Sequence, residues 1–205
     1  MSAIGPDSSF HFVSNNLALD FTGSVSWRGS RAPVERFADF AAVVSWARQS
    51  RLIDPTMENR LSDAAAADPK MALRAHRRAL RLRDLLYRVF ADIADGDAPA
   101  ERDLGEVNRV LRASLGRLGL TGRGPPYRLD WQFTPDCLEP VLGPVLKAAA
   151  ELLSSTELAK LRKCSSPICG WLFIDTSRTG RRRWCAMWAC GNRAKAKRFY
   201  QRHAS

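Results

Sequence analysis

Apolar residues recur every three or four positions through most of the first 160 residues, and this spacing predicts amphipathic helices. Phe37, Phe40 and Val44 show the pattern, because they share one face of a helix that follows Pro33. Further helices are predicted over about residues 55–67, over 69–95, through the stripe Leu104, Val107, Leu111, Leu115 and Leu118, and over 140–153.

Residues that typically begin and end helices support several of these boundaries. Asp68 followed by Pro69 is typical of a helix start, and Gly96 is typical of a helix end. Ser154 and Glu157 have the spacing of a capping box, so we expect a further short helix after the last long one.

One segment alternates between apolar and polar residues instead of following a helical period. Tyr127, Leu129, Trp131 and Phe133 are separated by single polar residues, which predicts a half-buried strand. The glycine- and proline-containing stretch before it, 119–126, is typical of a loop. The chain is therefore predicted to be α+β, with a mostly helical N-terminal domain that carries a small antiparallel sheet.

Positive charge is concentrated at the C-terminus. The chain has 32 Lys and Arg residues against 21 Asp and Glu residues. Residues 160–205 hold 12 of the basic side chains and a single acid, Asp175, whereas the rest of the chain has 20 of each and is neutral. This asymmetry favours a polyanionic partner, with nucleic acid first and an anionic membrane second.

The compartment bears on how the cysteines are interpreted. No stretch of 18 apolar residues predicts a membrane-spanning helix, and the N-terminus lacks the basic and apolar regions of a secretion signal. We therefore expect a cytoplasmic protein with no membrane partner. Thiols stay reduced in that compartment, so closely spaced cysteines indicate a metal site rather than disulfides.

Four of the five cysteines form two equally spaced pairs. Four residues separate Cys164 from Cys169 and Cys185 from Cys190, and fifteen residues lie between the pairs. This arrangement predicts one tetrahedral Zn²⁺ whose four positions are all occupied by sulfur, and therefore a structural ion rather than a catalytic one. The fifth cysteine, Cys137, is expected in the core.

The residues around the cysteines predict a small folded module with a basic surface. Residues 171–174 have the composition of a strand, and Asp175 is expected to cap a turn near Ser177 or to pair with an arginine. A last helix should run from Arg193 to about Arg202. Contact with nucleic acid is predicted through the basic side chains of Arg178, Arg181, Arg182, Arg183, Arg193, Lys195, Lys197 and Arg198.

The aromatic side chains of this module have more than one interpretation. Trp184 and Trp188 are expected to pack over the zinc cluster, and stacking on a nucleic-acid base is the alternative. Ala196, Phe199 and Tyr200 would form an apolar side that docks the last helix onto the rest of the protein.

The C-terminal residues resemble the CGNR zinc finger family. Besides the four cysteines, the resemblance rests on the order and spacing of residues 171–175, 183–187 and 190–195. The helical part of the chain is similar to the ABATE domain, described as a stress-related transcription regulator, through residues 17–21, Trp46 and the two helices at 77–90 and 104–118. The resemblance implies a transcription regulator with zinc ligands Cys164, Cys169, Cys185 and Cys190.

These observations divide the chain into a helical domain, residues 1–158, and a treble-clef-like zinc finger, residues 159–205. The first hypothesis is a transcription regulator whose finger binds double-stranded DNA and whose N-terminal domain senses a small-molecule effector or forms a homodimer. The alternatives are an RNA- or ribosome-binding protein and a zinc-scaffolded module for protein interaction or redox sensing. The sequence shows no phosphate-binding loop, histidine metal cluster or catalytic triad, so we expect no enzyme.

Overall fold

The computed structural model describes residues 10–134 and 138–203, and Cys137 therefore lies outside the described residues. Within them the chain forms seven α-helices and three two-stranded antiparallel sheets, so the α+β class is confirmed. In chain order the elements are α1 (Leu17–Thr22), β1 (Val25–Ser26), β2 (Val34–Glu35), α2 (Phe40–Gln49), α3 (Pro55–Ala67), α4 (Pro69–Asp95), α5 (Glu101–Leu115), β3 (Leu118–Thr121), β4 (Arg128–Trp131), α6 (Glu139–Leu153), β5 (Leu161–Lys163), β6 (Leu172–Ile174) and α7 (Asn192–His203).

Helix α4 is the centre of the fold. Its predicted boundaries are confirmed: the Asp68 carboxylate accepts a hydrogen bond from the Met71 N–H at 2.9 Å, and Gly96 ends the helix in the left-handed conformation with φ 91°. Leu86 and Val89 on its apolar face are completely buried. The helix contacts α1, α2, α3, α5 and β5, so almost every other part of the core is built against it.

An aromatic cluster fills the space between the N-terminal segment and α2. The Phe21 ring centroid lies 5.2 Å from that of Phe37 and 5.1 Å from that of Trp46. Phe37 is buried as its position in the pattern predicts, but the prediction that it belongs to a helix is wrong. Helix α2 begins only at Phe40, because the Asp39 side chain accepts from the Ala42 N–H and sets the start of the helix.

The β3–β4 hairpin differs from its prediction at both strands. Helix α5 ends at Leu115, and Leu118 begins a strand that continues into the segment predicted as a loop. The strand prediction is confirmed over β4, but Tyr127 and Leu129 are 61% and 56% exposed, so a half-buried face is wrong there. A two-stranded hairpin has no core of its own, so its side chains are buried only where another element packs on them.

That covering occurs at Trp131. The indole lies directly on α6 at Gly143, where a Cβ atom would come within 2.2 Å of the Trp131 Nε1. The Nε1–H donates to the Ser114 hydroxyl oxygen on α5 at 3.2 Å. Gly143 is therefore the residue that lets the hairpin dock between α5 and α6.

The predicted capping box after α6 does not form. The Ser154 hydroxyl donates back to the Ala150 and Glu151 carbonyls, so it terminates α6 instead of starting a new helix. One 3₁₀ turn, Thr156–Lys160, follows and leads directly into β5.

The cysteine-containing segment shares the core of the helical domain. Leu161 on β5 and Leu172 and Ile174 on β6 are buried in the same apolar cluster as the residues of α1, α4 and α6. The Ile174 N–H also donates to the Ser14 carbonyl at 2.8 Å. The sheet β5–β6 therefore belongs to both the helical body and the cysteine module.

Asp20 on α1 organises the chain segment that reaches the module. Its carboxylate accepts from the Val13 and Ser14 N–H groups, both at 3.0 Å. Burial raises the pKa of Asp20 to about 6, although these two N–H groups and the nearby Arg182 act in the opposite direction. Between the ordinary value of 3.8 and about 6, the folded state therefore binds more protons than the unfolded state, and the free energy of unfolding falls as pH rises.

We expect Asp20→Asn to remove this pH dependence. The free energy of unfolding of the wild type, relative to that of the variant, should fall by about 1 kcal/mol from pH 5 to pH 7. Urea unfolding at the two pH values measures this difference. Asp97→Asn, in an exposed loop, is the matched control, and an equal pH dependence in both variants would contradict the assignment to Asp20.

Candidate zinc centre and basic surface

Four cysteine thiols converge from two separate turns. Cys164 follows β5, and Cys169 precedes β6. Cys185 lies just before the π-helical turn Met187–Gly191, and Cys190 lies within this turn, which leads into α7. All four are buried, and their Sγ atoms lie within 4.8 Å of one another. Four thiolates around a tetrahedral Zn²⁺ would place their sulfurs about 3.8 Å apart, given Zn–S bonds of about 2.3 Å. The sulfur cluster therefore fits one zinc ion.

The backbone supports this arrangement. The Cys164 N–H donates to the Trp171 carbonyl at 2.8 Å, and the Cys185 N–H points at the Cys164 Sγ from 3.4 Å. At Gly191 a Cβ atom would lie 2.6 Å from the Met187 sulfur, so a larger residue would push the Met187 side chain out of the turn.

Zinc in this centre has a structural role. When bound, the ion cross-links the two turns and fixes their relative position. Since the four sulfurs complete its coordination shell, no position is left for a reactive water molecule.

The N-terminal segment holds the zinc module against the helical body, a feature that no sequence pattern indicated. The Arg28 N–H donates to the Cys169 carbonyl at 3.2 Å, and the Trp171 indole donates to the Val25 carbonyl at 2.8 Å. Gly29 is required here, because a Cβ atom would lie 2.4 Å from the Pro167 carbonyl oxygen. The first cysteine turn is therefore in direct contact with the segment between β1 and β2.

Asp175, the one acid of the basic segment, caps a turn as predicted. Its carboxylate accepts from the Ser177 N–H at 2.9 Å, from the Ser177 hydroxyl at 2.6 Å and from the Arg182 N–H at 2.9 Å. The hydrogen bond from Ser177 holds the pKa of Asp175 below its usual range. Asp175 therefore orders the arginine-rich loop through its backbone.

Arg182 points inward, unlike its two neighbours in sequence. Its guanidinium donates to the carbonyls of Trp184 at 3.0 Å, Val13 at 2.8 Å and Cys185, and it lies 4.1 Å from the centre of the Phe173 ring. We therefore assign Arg182 to holding the module together rather than to the predicted contact with nucleic acid.

Arg193 has an intramolecular partner but remains exposed. Its guanidinium lies 4.1 Å from the centre of the Trp27 ring, a cation–π contact between the start of α7 and the segment after β1. Trp27 has a positive φ of 56°, which is unusual for a residue with a Cβ atom. The contact fixes the beginning of α7 while the guanidinium edge still faces solvent.

The remaining predicted side chains form the surface that we name the basic surface. All are exposed, and among the described residues none of them is in an ion pair with an acid. Its members are Arg178, Arg181, Arg183, Lys195, Lys197 and Arg198.

Helix α7 projects from the zinc centre instead of docking. It has no buried residue, and apart from the Arg193–Trp27 contact at its start it packs mainly against the π-helical turn before it. Phe199 and Tyr200 are 58% and 70% exposed, so the predicted apolar docking side is wrong. Phe199 stacks instead on His203 of the same helix, with ring centres 4.1 Å apart.

The two tryptophans of the module differ in their surroundings. Trp184 is partly buried and packs against the cysteine cluster, as predicted. Trp188 lines a small cavity beside three of the cysteines, yet it is 53% exposed, and its ring meets the His11 ring edge-on at 4.8 Å. Trp188 therefore has a face that a partner can contact.

Removal of one sulfur ligand should release the metal. We expect the purified chain to carry one zinc ion, and we expect Cys169→Ser to retain only a small fraction of it, because three thiolates bind far more weakly than four. Metal analysis combined with thermal unfolding tests this expectation. Cys137→Ser, which changes the remaining cysteine, is the control and should keep its zinc, and equal retention by both variants would contradict the assignment.

Arg182 and Arg181 should respond differently to the same substitution. Arg182→Gln leaves three carbonyl acceptors without their charged donor, so the free energy of unfolding should fall by about 2–3 kcal/mol. Arg181→Gln, which removes the same charge from an exposed side chain, should change it by less than about 0.5 kcal/mol. Chemical denaturation of the zinc-loaded proteins measures both values, and equal effects would contradict the inward role.

Comparison with known families agrees with this architecture. Residues 160–203 match the model of the CGNR zinc finger, which includes all four cysteines. Residues 15–156 match the model of the ABATE family, described as "Putative stress-induced transcription regulator". No match was found among curated proteins. In the described part of the chain, no helix is both long and apolar enough to cross a membrane. Since the ABATE model covers more than half of the residues, the chain belongs to the ABATE family and ends in a CGNR zinc finger.

Proposed function

We propose that the protein is a zinc-dependent transcription regulator whose finger binds double-stranded DNA. The observation that carries this proposal is the basic surface, six exposed Lys and Arg side chains without acidic partners among the described residues. Acids elsewhere in the chain pair with cations of the helical body, for example Asp103 with Arg88 at 2.8 Å. The basic surface thus keeps its charge for an external anion.

The shape of the finger suits a duplex. Helix α7 has 12 residues, which corresponds to a length of about 18 Å, and none of them is buried. The major groove of DNA is wide enough to admit such a helix. Lys195 and Arg198 lie one turn apart on α7, as do Arg193 and Lys197, so cations are available to phosphates on either side of the groove.

The arginine-rich loop offers a second point of contact. Arg181 and Arg183 are the exposed neighbours of Arg182, whose inward guanidinium anchors the loop next to the zinc ligand Cys185. An anchored loop loses little conformational freedom on binding, which favours affinity. The zinc centre joins this loop and α7 into one surface.

We assign the helical domain to control of the finger. In this proposal it senses a small-molecule effector or forms a homodimer, and the shared sheet β5–β6 connects it to the finger. In this proposal the protein acts in the cytoplasm, where reducing conditions keep the thiols available to zinc, and its role is binding rather than catalysis.

RNA binding is a second candidate because of Trp188. A half-exposed indole next to an arginine-rich loop can stack on an unpaired base, which a duplex does not present. In competition experiments, structured RNA displacing DNA at equal concentration would favour this candidate.

The affinity for DNA should depend strongly on salt. If about five phosphates are neutralised, the logarithm of the association constant should fall with the logarithm of salt concentration with a slope of about −4 to −5. The double variant Arg181→Gln/Lys197→Gln should reduce the slope by about two. Fluorescence anisotropy on duplexes selected from a random pool measures both.

Two controls accompany this titration. Arg77→Gln/Arg112→Gln removes the same charge from exposed side chains of α4 and α5, and it should leave the slope unchanged. The zinc-free protein should lose DNA binding. An affinity that does not vary with salt would contradict the phosphate contacts.

A further inference from the structure

A groove of about 960 Å³ lies in the helical domain, remote in sequence from the zinc centre. Its walls come from the turn between α2 and α3, from β4 with the residues that follow it, and from the N-terminal half of α6. From this groove we infer a binding site: we propose that it takes a small organic anion with an apolar body.

The charge of the groove carries the first part of the argument. Four guanidiniums line it, but Arg48 pairs with Glu58 at 3.3 Å and Arg128 pairs with Asp130 at 3.4 Å. Arg51 and Arg60 have no acidic partner among the described residues. With Asp54 as a third carboxylate beside Glu58 and Asp130, the described side chains of the groove leave one positive charge in excess.

The acids of the groove are held by the fold. The Asp54 carboxylate accepts from the Met57 N–H at 2.8 Å and caps α3. The Asp130 carboxylate accepts from the Thr121 hydroxyl at 3.0 Å in addition to its pairing within β4. Neither forms an ion pair with Arg51 or Arg60, so among the described residues an external anion would balance the remaining positive charge.

Both arginines are exposed to solvent, and the structure orders the Arg60 side chain and the Arg51 backbone. The Arg60 guanidinium lies 4.0 Å from the centre of the Phe133 ring, and a guanidinium stacked in this way keeps its N–H donors pointing outward in its own plane. Arg51 lies two residues after the end of α2 with φ 63°, and its backbone N–H donates to the Arg48 carbonyl at 3.1 Å. A non-glycine residue held at positive φ is typical of a position fixed by its surroundings.

The apolar part of the wall completes the ligand class. Leu52, Met57 and Phe133 are partly buried in the groove and belong to the edge of the main core. Next to them the Thr134 hydroxyl oxygen is buried and has no hydrogen-bond partner among residues 10–134 and 138–203. The groove thus combines guanidinium groups, an apolar wall and one hydroxyl without a partner among the described residues. This combination fits an aromatic or aliphatic carboxylate, sulfonate or phosphate better than an inorganic ion, because an inorganic ion has no apolar part to contact the wall.

The probe for this site is 8-anilinonaphthalene-1-sulfonate, titrated by fluorescence into the zinc-loaded full chain. Arg51→Gln/Arg60→Gln should weaken its binding at least about tenfold, because charge-assisted hydrogen bonds are lost. The uncharged analogue N-phenyl-1-naphthylamine should bind at least about tenfold more weakly than the sulfonate. Arg77→Gln/Arg112→Gln, with the same change of charge outside the groove, should bind the sulfonate like the wild type.

Two results would overturn the proposal. One is equal binding of the sulfonate by the groove variant and the control variant, with circular dichroism showing that both are folded. The other is loss of binding in Arg181→Gln/Arg183→Gln instead, which would place the probe on the finger. Because no DNA enters this titration, its outcome is independent of the proposed DNA binding.

Discussion

The proximity of four sulfur atoms is the constraint on which the C-terminal part of the protein depends. The finger has little apolar material of its own: Phe173 is its one fully buried large side chain next to the cysteines, and α7 buries no residue. In zinc-finger peptides a structural zinc contributes about 10–16 kcal/mol to folding. A term of that size can hold α7 and the arginine-rich loop in one arrangement, where packing alone would leave them to fray.

Sequence periodicity predicted the elements that bury a continuous stripe. Helix α4 matches its prediction at both ends because its cap residues act locally. The hairpin was predicted less well, since the exposure of Leu129 and Trp131 depends on whether α6 reaches them, which is a property of the tertiary fold. Ser154 failed as a cap for a similar reason: its hydroxyl had a nearer acceptor at the end of α6.

The zinc ligands could be read from spacing, but the roles of individual arginines could not. Three consecutive arginines look equivalent in the sequence, yet only Arg182 meets the carbonyl of Val13, 169 positions earlier in the chain. The cation–π contact between Arg193 and Trp27 is equally distant in sequence. Charge patterning thus indicates that a surface is basic, and only the fold separates the side chains that build the surface from those that face outward.

The sheet β5–β6 has a consequence for how the two parts move. Leu161 and Ile174 are inserted among residues of α1, α4 and α6, so the finger is packed on the helical domain and is not joined to it by a flexible linker. Because β5 packs on α4 and Cys164 directly follows β5, a shift of α4 would also displace this sulfur ligand. If the chain were cut between the two family segments, these apolar side chains would be exposed to solvent, and the isolated finger would be prone to aggregate.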